Sequence, residues 1–502
     1  MKQIAIPAVL LAAVSACAAG ELTLTFIDGE TKKPTPCRLH LRNEKDRPQR
    51  AANMPFWHDH FVTPGKVKLK LPKGSYHFEI ERGPEYLARN GYFVLENQSN
   101  DNQTIDLPPR ACNLAEEGWW SGDLHIHRPT KEIELLMLAD DLHVAGATTW
   151  SAKKNEWTGR TLPPQTVKRF DKNRYCELLV GESAGEGGTL LFHNVDKPLL
   201  ASEPESNDAF SLLSAARENA EVWIDVGRPT AWDLPLWLAS GRVDSIELCD
   251  DQFCRGAVAD DNAGHPRDKK LMPGAAGVGR WTHEIYYHLL NCGLRIPPSA
   301  GSGSGEAANP VGYNRVYVWV DKDQFDYEAW WKGFRMGRAV VTNGPLIRPL
   351  ANARVPGHVF QQPADETLVV EVFLTFTAPT SDTVSYFELI KNGRLAQSIR
   401  YEDIAKTGRF KPVEFDESGW FLIRAVTDVE ETYRFATSAP WYVEMGDEPK
   451  RVSRRSAEFF LDWLEERVES LHADGHLSPA GEKAWSEAKA FWEKLVEEAN
   501  AD

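Results

Sequence analysis

A chain of 502 residues is too long for a single hydrophobic core, and its length predicts about three or four domains. Hydrophobic residues make up 42% and charged residues 26%, an ordinary globular balance that excludes a generally disordered chain. The formal net charge of -16 excludes nucleic acids and anionic membrane surfaces as main partners, because like charges repel.

The N-terminus has the features of a secretory signal peptide, residues 1–20. Lys2 precedes an apolar run at 4–14, and small residues follow at 15–20. The run is too short for a permanent membrane helix, and no later segment is typical of one. We therefore expect an exported protein, periplasmic or secreted, without a transmembrane span. Cys17 closes a stretch that resembles a bacterial lipoprotein processing site, which leaves a lipid anchor at this residue open.

Residues 21–110 are predicted to form a small β-sandwich. Near the start, Leu22, Leu24 and Phe26 alternate with threonines, which is the two-residue period of a strand. Two further runs, 66–71 and 76–81, alternate apolar with polar or charged residues and flank the turn residues 72–74. This arrangement predicts an antiparallel hairpin with one solvated face.

Residues 111–345 are predicted to form an α/β domain, because strand-like and helix-like runs alternate. In such folds the chemistry lies at the carboxyl ends of the strands. The predicted strands are 176–180, 222–226 and 243–248, and the predicted helices are 132–142, 208–219 and 282–292.

Two further segments complete the chain. Residues 346–447 are predicted to form a second β-sandwich, in which Asn392 and Gly393 between apolar runs indicate a tight hairpin turn. Residues 448–502 are predicted to form a helical hairpin, with Ser478 as the cap of its second helix. The predicted fold is therefore multidomain α/β plus β, with a central domain flanked by two β-sandwiches and a C-terminal helical hairpin.

The strongest chemical signal is the sequence Gly-Asp-Leu-His-Ile-His at 122–127. Alternate residues of a strand point the same way, so the imidazoles of His125 and His127 can reach one cation. Asp123 lies on the same face and is a candidate metal ligand, orienting group or catalytic group. The alternative is a surface pair of histidines, since His-x-His is common by chance.

A carboxylate and a third imidazole follow at predicted strand ends. Glu182 follows Gly181, and His193 precedes Asn194. With the paired histidines they would form a His/Glu site suited to one zinc, manganese or iron ion. Taken singly, each has a plainer interpretation as a solvated glutamate or a buried, hydrogen-bonded histidine.

The order of these residues resembles the polymerase-and-histidinol-phosphatase (PHP) superfamily. Residues 333–345 and 286–304 resemble segments of its CehA/McbA-type metallohydrolase branch, so that the resemblance covers about 111–345. It implies a distorted (β/α)7 barrel in which divalent metals activate water for ester or phosphoester hydrolysis. The ligands that it implies here are His125, His127, Glu182 and His193.

Three segments depart from the family pattern. Thr-Thr-Trp at 148–150 replaces Thr-Asp-His, Arg228-Pro replaces His-Pro, and residues 301–305 replace Gly-Ser-Asp-x-His. The departures favour one ion with an open coordination position. Asp225 is a candidate general base and Arg228 a candidate stabiliser of anionic charge, with an ordinary ion pair as the alternative for each. Weaker candidates are Asp140, Asp141, His143, Asp250 and Asp251.

The sequence therefore predicts an exported metal-dependent hydrolase that uses a metal-activated water on an ester, phosphoester or related bond. A small molecule or a carbohydrate is the expected substrate. Two alternatives stay open: a non-catalytic carbohydrate-binding or scaffold protein with a degenerate PHP-like site, and a metal-assisted polysaccharide-degrading enzyme. The 17 tryptophans agree with sugar stacking, although core packing is the plainer explanation.

Overall fold

The computed structural model describes ten stretches of chain, which form two compact units. The first unit runs up to Glu81 and includes Ala88–Pro108, and the second comprises Arg82–Leu87 and Pro109–Asp502. Among the described helices, none combines the length and the apolar character that a membrane span requires. The described stretches are 20–97, 99–110, 112–151, 154–199, 209–218, 221–261, 263–377, 383–447, 450–473 and 479–502.

Several predictions fall outside these stretches. The signal peptide does so except for Gly20, where the first strand begins. The lipid-anchor position Cys17 and the helix cap Ser478 also lie outside the described residues.

The first unit is built from two β-sheets. Its strands are β1 Gly20–Asp28, β2 Cys37–Asn43, β3 Phe56–Trp57, β4 His60–Thr63, β5 Lys66–Leu71, β6 Gly74–Glu81, β7 Arg89–Leu95 and β8 Asn100–Leu107. One sheet has the order β5-β1-β8 and the other the order β3-β4-β2-β6-β7. In β1 and β5 the apolar side chains are buried and alternate with more exposed ones, so the predicted strand periodicity is confirmed.

The hairpin predicted between 66–71 and 76–81 is wrong. Strand β5 pairs with β1, whereas β6 pairs with β2 and β7, so the two runs belong to different sheets. Pro72 and Lys73 carry the chain from one sheet to the other. The alternation of side chains reports that one face of each strand is buried, and it does not identify the partner strand.

The second unit begins with strands and helices that largely alternate. They are β9 Trp119–Ile126, α1 Thr130–Asp140, β10 Val144–Ser151, β11 Val167–Phe170, β12 Arg174–Gly185, β13 Gly188–His193, α2 Ala209–Ala216, β14 Trp223–Val226, α3 Leu234–Ala239, β15 Ser245–Cys249, α4 Gly274–Asn291, β16 Pro298–Ala300, β17 Arg315–Trp319, α5 Tyr327–Arg335 and β18 Ala339–Thr342. Neighbouring strands follow the order β16-β15-β14-β13-β12-β10-β9-β17-β18.

This part of the sheet is mixed, so the prediction of a parallel α/β arrangement is only partly right. The pairs β9–β10, β10–β12, β14–β15 and β15–β16 are parallel. Strand β13 runs antiparallel to both β12 and β14. The cause is local: Glu186 and Gly187 form a tight turn between β12 and β13, which leaves no room for a crossover helix.

The segment after β16 is hydrogen-bonded to the carboxyl end of β9. The amide of Gly303 donates to the carbonyl of His125 at 2.8 Å, and the amide of His127 donates to the carbonyl of Ser304 at 2.8 Å. These are the bonds of a parallel bridge between Ile126 and Ser304. They fix the backbone of the two histidines that the sequence singled out.

The C-terminal strands extend the same sheet, since β18 pairs with β27 and the order continues through β26, β23 and β24. Their bounds are β19 Leu346–Ala351, β20 Val359–Gln362, β21 Leu368–Val370, β22 Val372–Thr377, β23 Val384–Lys391, β24 Arg394–Arg400, α6 Tyr401–Thr407, β25 Val413–Phe415, β26 Gly419–Thr427, β27 Phe435–Ser438 and β28 Trp441–Met445. Asn392 and Gly393, with φ of 50° and 78°, join β23 to β24 in the predicted two-residue turn.

Two long helices end the chain, α7 Arg454–Ala473 and α8 Pro479–Glu497. Their indoles anchor them to the region of α3: Trp463 donates to the carbonyl of Trp232 at 3.1 Å, and Trp492 donates to the carbonyl of Pro235 at 3.0 Å. None of the 17 tryptophan side chains is exposed. The high tryptophan content therefore reflects packing, which is the plainer of the two explanations.

A buried histidine makes the stability of the second unit depend on pH. His283 on α4 is fully buried between the carbonyl of Gly279 and the hydroxyl of Thr437, at 2.7 and 2.8 Å. Burial lowers the pKa of His283 to about 3, so the folded protein keeps this ring neutral. Below the ordinary value of 6.5 the unfolded chain binds a proton that the folded chain does not.

We therefore expect acid to destabilise the wild type more steeply than a His283→Gln variant, whose amide offers a donor and an acceptor. Between pH 6 and 4 the free energy of unfolding should fall more steeply in the wild type, by about 1.4 kcal/mol per pH unit. Urea unfolding at a series of pH values measures both slopes. Parallel profiles would show that His283 already carries its proton in the folded state.

Candidate metal centre

Three side chains converge at the carboxyl end of β9. The Nε2 atoms of His125 and His127 are 2.9 Å apart. The carboxylate of Glu182 lies 3.8 Å from the first of these atoms and 3.7 Å from the second. All three ligand atoms lie within 4.8 Å of one another, and such a group could hold a metal ion. The sequence prediction named these three residues, and the structure brings them together.

Local geometry places these side chains. His125 and His127 are two residues apart at the end of a strand, so both rings point to the same side. Glu182 enters from β12, two strands away, where it pairs with Ser151 of β10. Gly181 before it packs against an indole: a Cβ there would lie 1.9 Å from Cζ2 of Trp150. Only glycine therefore allows β12 to bring Glu182 to this position.

The donor set fits a tetrahedral cation. Two ligands bound at about 2.0–2.1 Å in tetrahedral geometry lie about 3.3–3.4 Å apart. The two imidazole nitrogens are 2.9 Å apart, and each lies 3.7–3.8 Å from one of the two oxygens of Glu182, which is close to that value. Two imidazoles and one carboxylate are the protein ligands of one class of catalytic zinc site, which keeps the fourth position open.

A buried glutamate that the sequence analysis missed orients the first histidine. Oε2 of Glu247 lies 3.3 Å from Nδ1 of His125, and Glu247 is fully buried on β15. When Nδ1 of a neutral imidazole donates to a carboxylate, the lone pair of Nε2 is free for a cation. Gly301 makes room for this contact, because a Cβ there would lie 2.3 Å from Oε1 of Glu247. The signal was present in the sequence as an acidic residue inside an apolar strand, which needs a buried partner.

The pKa values of the two imidazoles are shifted in opposite directions. Burial lowers the pKa of His125, but the carboxylates of Glu247 and Glu182 outweigh it and raise this pKa to about 10, while burial raises the pKa of Glu247 well above its ordinary value. Burial lowers the pKa of His127 to about 3, and the positive charge of His125 acts in the same direction. Of the two rings, His125 is therefore the one that favours the extra proton.

The predicted fourth ligand, His193, is not part of this group. It is fully buried, its Nδ1 lies 3.2 Å from Oε2 of Glu177, and its ring packs against Trp331. Strand direction explains the difference. Glu182 pairs with Leu191, and because β13 is antiparallel to β12, the later residue His193 lies deeper in the sheet and not at the shared carboxyl edge. Nε2 of His193 has no hydrogen-bond partner among the described residues.

Asp123, predicted as a catalytic group or ligand, instead accepts hydrogen bonds from the backbone. It is fully buried, and its Oδ1 accepts from the amides of Ser302 and His125 at 2.9 and 3.3 Å. Its Oδ2 accepts from the amide of Gly312 at 2.7 Å. Both oxygens therefore bind backbone, and the prediction is corrected: Asp123 holds the 302–312 loop against β9.

The two other predicted catalytic residues occupy different environments. Asp225 is fully buried, accepts from the hydroxyl of Ser299 at 2.7 Å, and has its pKa raised to about 6 by burial. Arg228 is partly exposed and donates to Oδ1 of Asp251 at 2.9 and 3.1 Å and to Asp261 at 3.1 Å. Asp251 lies against the loop that bonds to β9, since a Cβ at Gly303 would be 2.6 Å from its Cβ, so the Arg228–Asp251 pair is close to this loop.

The weaker candidates lie in hydrogen-bond and ion-pair networks of their own. Asp141 pairs with Arg174, Asp140 lies 3.8 Å from Arg315, and His143 contacts the hydroxyl of Ser121 at 3.0 Å. Asp250 is buried and accepts from the amide and side chain of Gln252. The indole of Trp150, at the end of β10, is buried and donates to the carbonyl of Leu179 at 3.1 Å.

Comparisons with known proteins add no family assignment. No protein-family model matches the chain, and no curated protein matches it. Three solved structures show partial likeness, each with a TM-score of 0.14 or 0.15: the Bacillus anthracis TIE protein (19% identity, 22% of this chain), a pilus-presented adhesin, Cpa (12%, 18%), and fibronectin(III)-like modules of Clostridium thermocellum CbhA (12%, 28%). This chain spans 19%, 27% and 65% of those chains, respectively.

The contact between Glu247 and His125 predicts how tightly zinc binds. We expect Glu247→Gln to weaken zinc binding by about 10- to 100-fold, because the charge that orients the imidazole and favours its donor character is lost. Chelator competition on the full chain measures the affinity. Glu306→Gln is a matched control, since this exposed carboxylate lies 3.7 Å from Nδ1 of His127 and should matter little. Equal affinities for wild type and Glu247→Gln would remove the positioning role.

Proposed function

We propose that this chain is an exported metal-dependent hydrolase that cleaves an ester, phosphoester or related bond. One observation carries the proposal: two imidazole nitrogens and a carboxylate, from His125, His127 and Glu182, lie within 4.8 Å of one another, close enough to hold one cation. A cation held by three protein ligands keeps a position for water or substrate, which distinguishes a catalytic site from a closed structural one. A divalent cation, with zinc favoured by this donor set, is the expected cofactor.

The surrounding residues support hydrolysis. When bound, such a cation lowers the pKa of a coordinated water and polarises a carbonyl or phosphoryl oxygen. Glu247 orients His125 and keeps its Nε2 lone pair toward the cation position. Arg228 is the residue proposed to stabilise negative charge on the reacting group, since its guanidinium is partly exposed and remains cationic. No catalytic role is assigned to Asp225, because it is fully buried.

The strand order supports the resemblance to the CehA/McbA-type branch of the PHP superfamily. Strands β9, β10 and β12 to β16 are successive neighbours, which makes seven strands. The bonds from residues 303–304 back to β9 join the segment after β16 to β9, whereas the antiparallel β13 departs from a regular (β/α)7 barrel. The proposal is limited to one ion, because His193 lies outside the group and the family's other ligand positions carry Trp150, Arg228 and glycines.

The hydrolase is favoured over the carbohydrate-binding alternative. That alternative drew on the lost family ligands, the two predicted β-sandwiches and the tryptophan content, and of these the tryptophans give it no support, because none of their side chains is exposed as a stacking platform. Export remains part of the proposal on the strength of the N-terminal sequence, and the substrate is proposed to be a small molecule or a carbohydrate.

The double variant His125→Ala plus His127→Ala tests the proposal. After dialysis against zinc, we expect the double variant to contain one zinc ion per chain fewer than the wild type. Its rate of hydrolysis of p-nitrophenyl acetate or bis-p-nitrophenyl phosphate should be at least about 100-fold lower, because the cation that activates water is absent. Elemental analysis and absorbance assays measure the two effects. His472→Ala, an exposed histidine of α7, is the matched control. Unchanged zinc content and turnover in the double variant would contradict the proposal.

A further inference from the structure

A second group of imidazole and carboxylate ligands lies in the first unit. His40 is on β2, His60 begins β4, and Asp59 lies in the turn between β3 and β4. Nδ1 of His40 is 3.2 Å from Oδ2 of Asp59, and Nδ1 of His60 is 3.2 Å from Oδ1 of the same carboxylate. The two rings are 5.1 Å apart, and both are buried. These residues have no role in the proposed hydrolysis.

His40 is the unusual member. Its side chain is 4% exposed, yet neither ring nitrogen makes a hydrogen bond. Carboxylate oxygens of Asp59 and Glu81 nevertheless lie 3.2 and 3.3 Å from its two nitrogens. Nδ1 of His40 and Oδ2 of Asp59, 3.2 Å apart, have the spacing of two ligands of one tetrahedral ion, about 3.3–3.4 Å. A buried imidazole without a hydrogen bond is costly, and a cation at Nδ1 would satisfy it.

We propose that Nδ1 of His40, Nδ1 of His60 and the carboxylate of Asp59 bind a divalent cation of the zinc type. Oε2 of Glu81 lies 3.3 Å from Nε2 of His40, and its negative charge would favour a ring that keeps its proton at Nε2 and leaves Nδ1 for the cation. The fourth position is open to water or to the neighbouring His58, an exposed side chain whose Nδ1 lies 3.7 Å from Oδ1 of Asp59. The ion would join β2 to the β3–β4 hairpin and so stabilise this sheet.

The competing explanation is a cluster of ion pairs without a metal. Arg42 donates to Oδ2 of Asp59 at 3.0 Å, and Arg38 pairs with Glu81 at 2.7 Å. A carboxylate oxygen has two lone pairs, so Arg42 can remain while Asp59 binds a cation, but its positive charge opposes that cation. The two explanations therefore predict different effects of removing the charge of Arg42. At a metal site its removal would tighten cation binding, whereas in a cluster of ion pairs its removal would only weaken the cluster.

Zinc binding to the full-length His125→Ala plus His127→Ala variant tests this site alone. We expect one zinc ion per chain to remain there, and His40→Gln or Asp59→Asn in the same background to abolish it. We expect Arg42→Gln to tighten zinc binding about fivefold, the effect of removing one like charge near 4 Å in a high-dielectric setting. Elemental analysis and zinc titration measure these effects, and far-ultraviolet circular dichroism checks the fold of each variant.

Absence of zinc from the background variant would overturn the proposal. Retention of zinc after both His40→Gln and Asp59→Asn, in folded protein, would overturn it as well, and so would weaker zinc binding by Arg42→Gln. Zinc that binds after removal of His125 and His127 cannot come from the proposed catalytic centre. The two proposals therefore succeed or fail separately.

Discussion

The close approach of two imidazoles at the end of β9 is the constraint on which the functional interpretation depends. An Nε2–Nε2 distance of 2.9 Å leaves room for one shared proton or one cation, but not for two protonated rings. The backbone of both residues is held by hydrogen bonds to Gly303 and Ser304, so the rings cannot simply move apart by fraying of the strand end. Glu247 then fixes the ring of His125 from the side away from the centre.

The supporting structure is built around this point. Asp123 binds the amides of the loop that follows β16, and the same loop closes against β9. Glycines 181 and 301 are required where an indole and a carboxylate approach the backbone closely. A site held by backbone bonds and by side chains that are themselves fixed is preorganised, which is what metal binding with an open position demands. The residues around the centre thus act mainly by positioning its three ligands.

The sequence predicted the local features well. The period of two in β1 and β5, the Asn392-Gly393 turn and the pair His125 and His127 are set by neighbouring residues, so one segment is enough to recognise them. Predictions from the sequence were wrong where they depended on which strands pair with each other. The hairpin at 66–81 was wrong because alternation does not specify a partner, and His193 was misplaced because nothing local shows that β13 runs antiparallel. Glu247 was missed because its partner is 122 residues away.

Anomalous diffraction from crystals of the zinc-soaked full chain, recorded on both sides of the zinc absorption edge, tests the central claim most directly. The account predicts a peak about 2.0–2.2 Å from Nε2 of His125, Nε2 of His127 and a carboxylate oxygen of Glu182. Absence of a peak there, with those nitrogens still about 2.9 Å apart and joined by a proton, would contradict it.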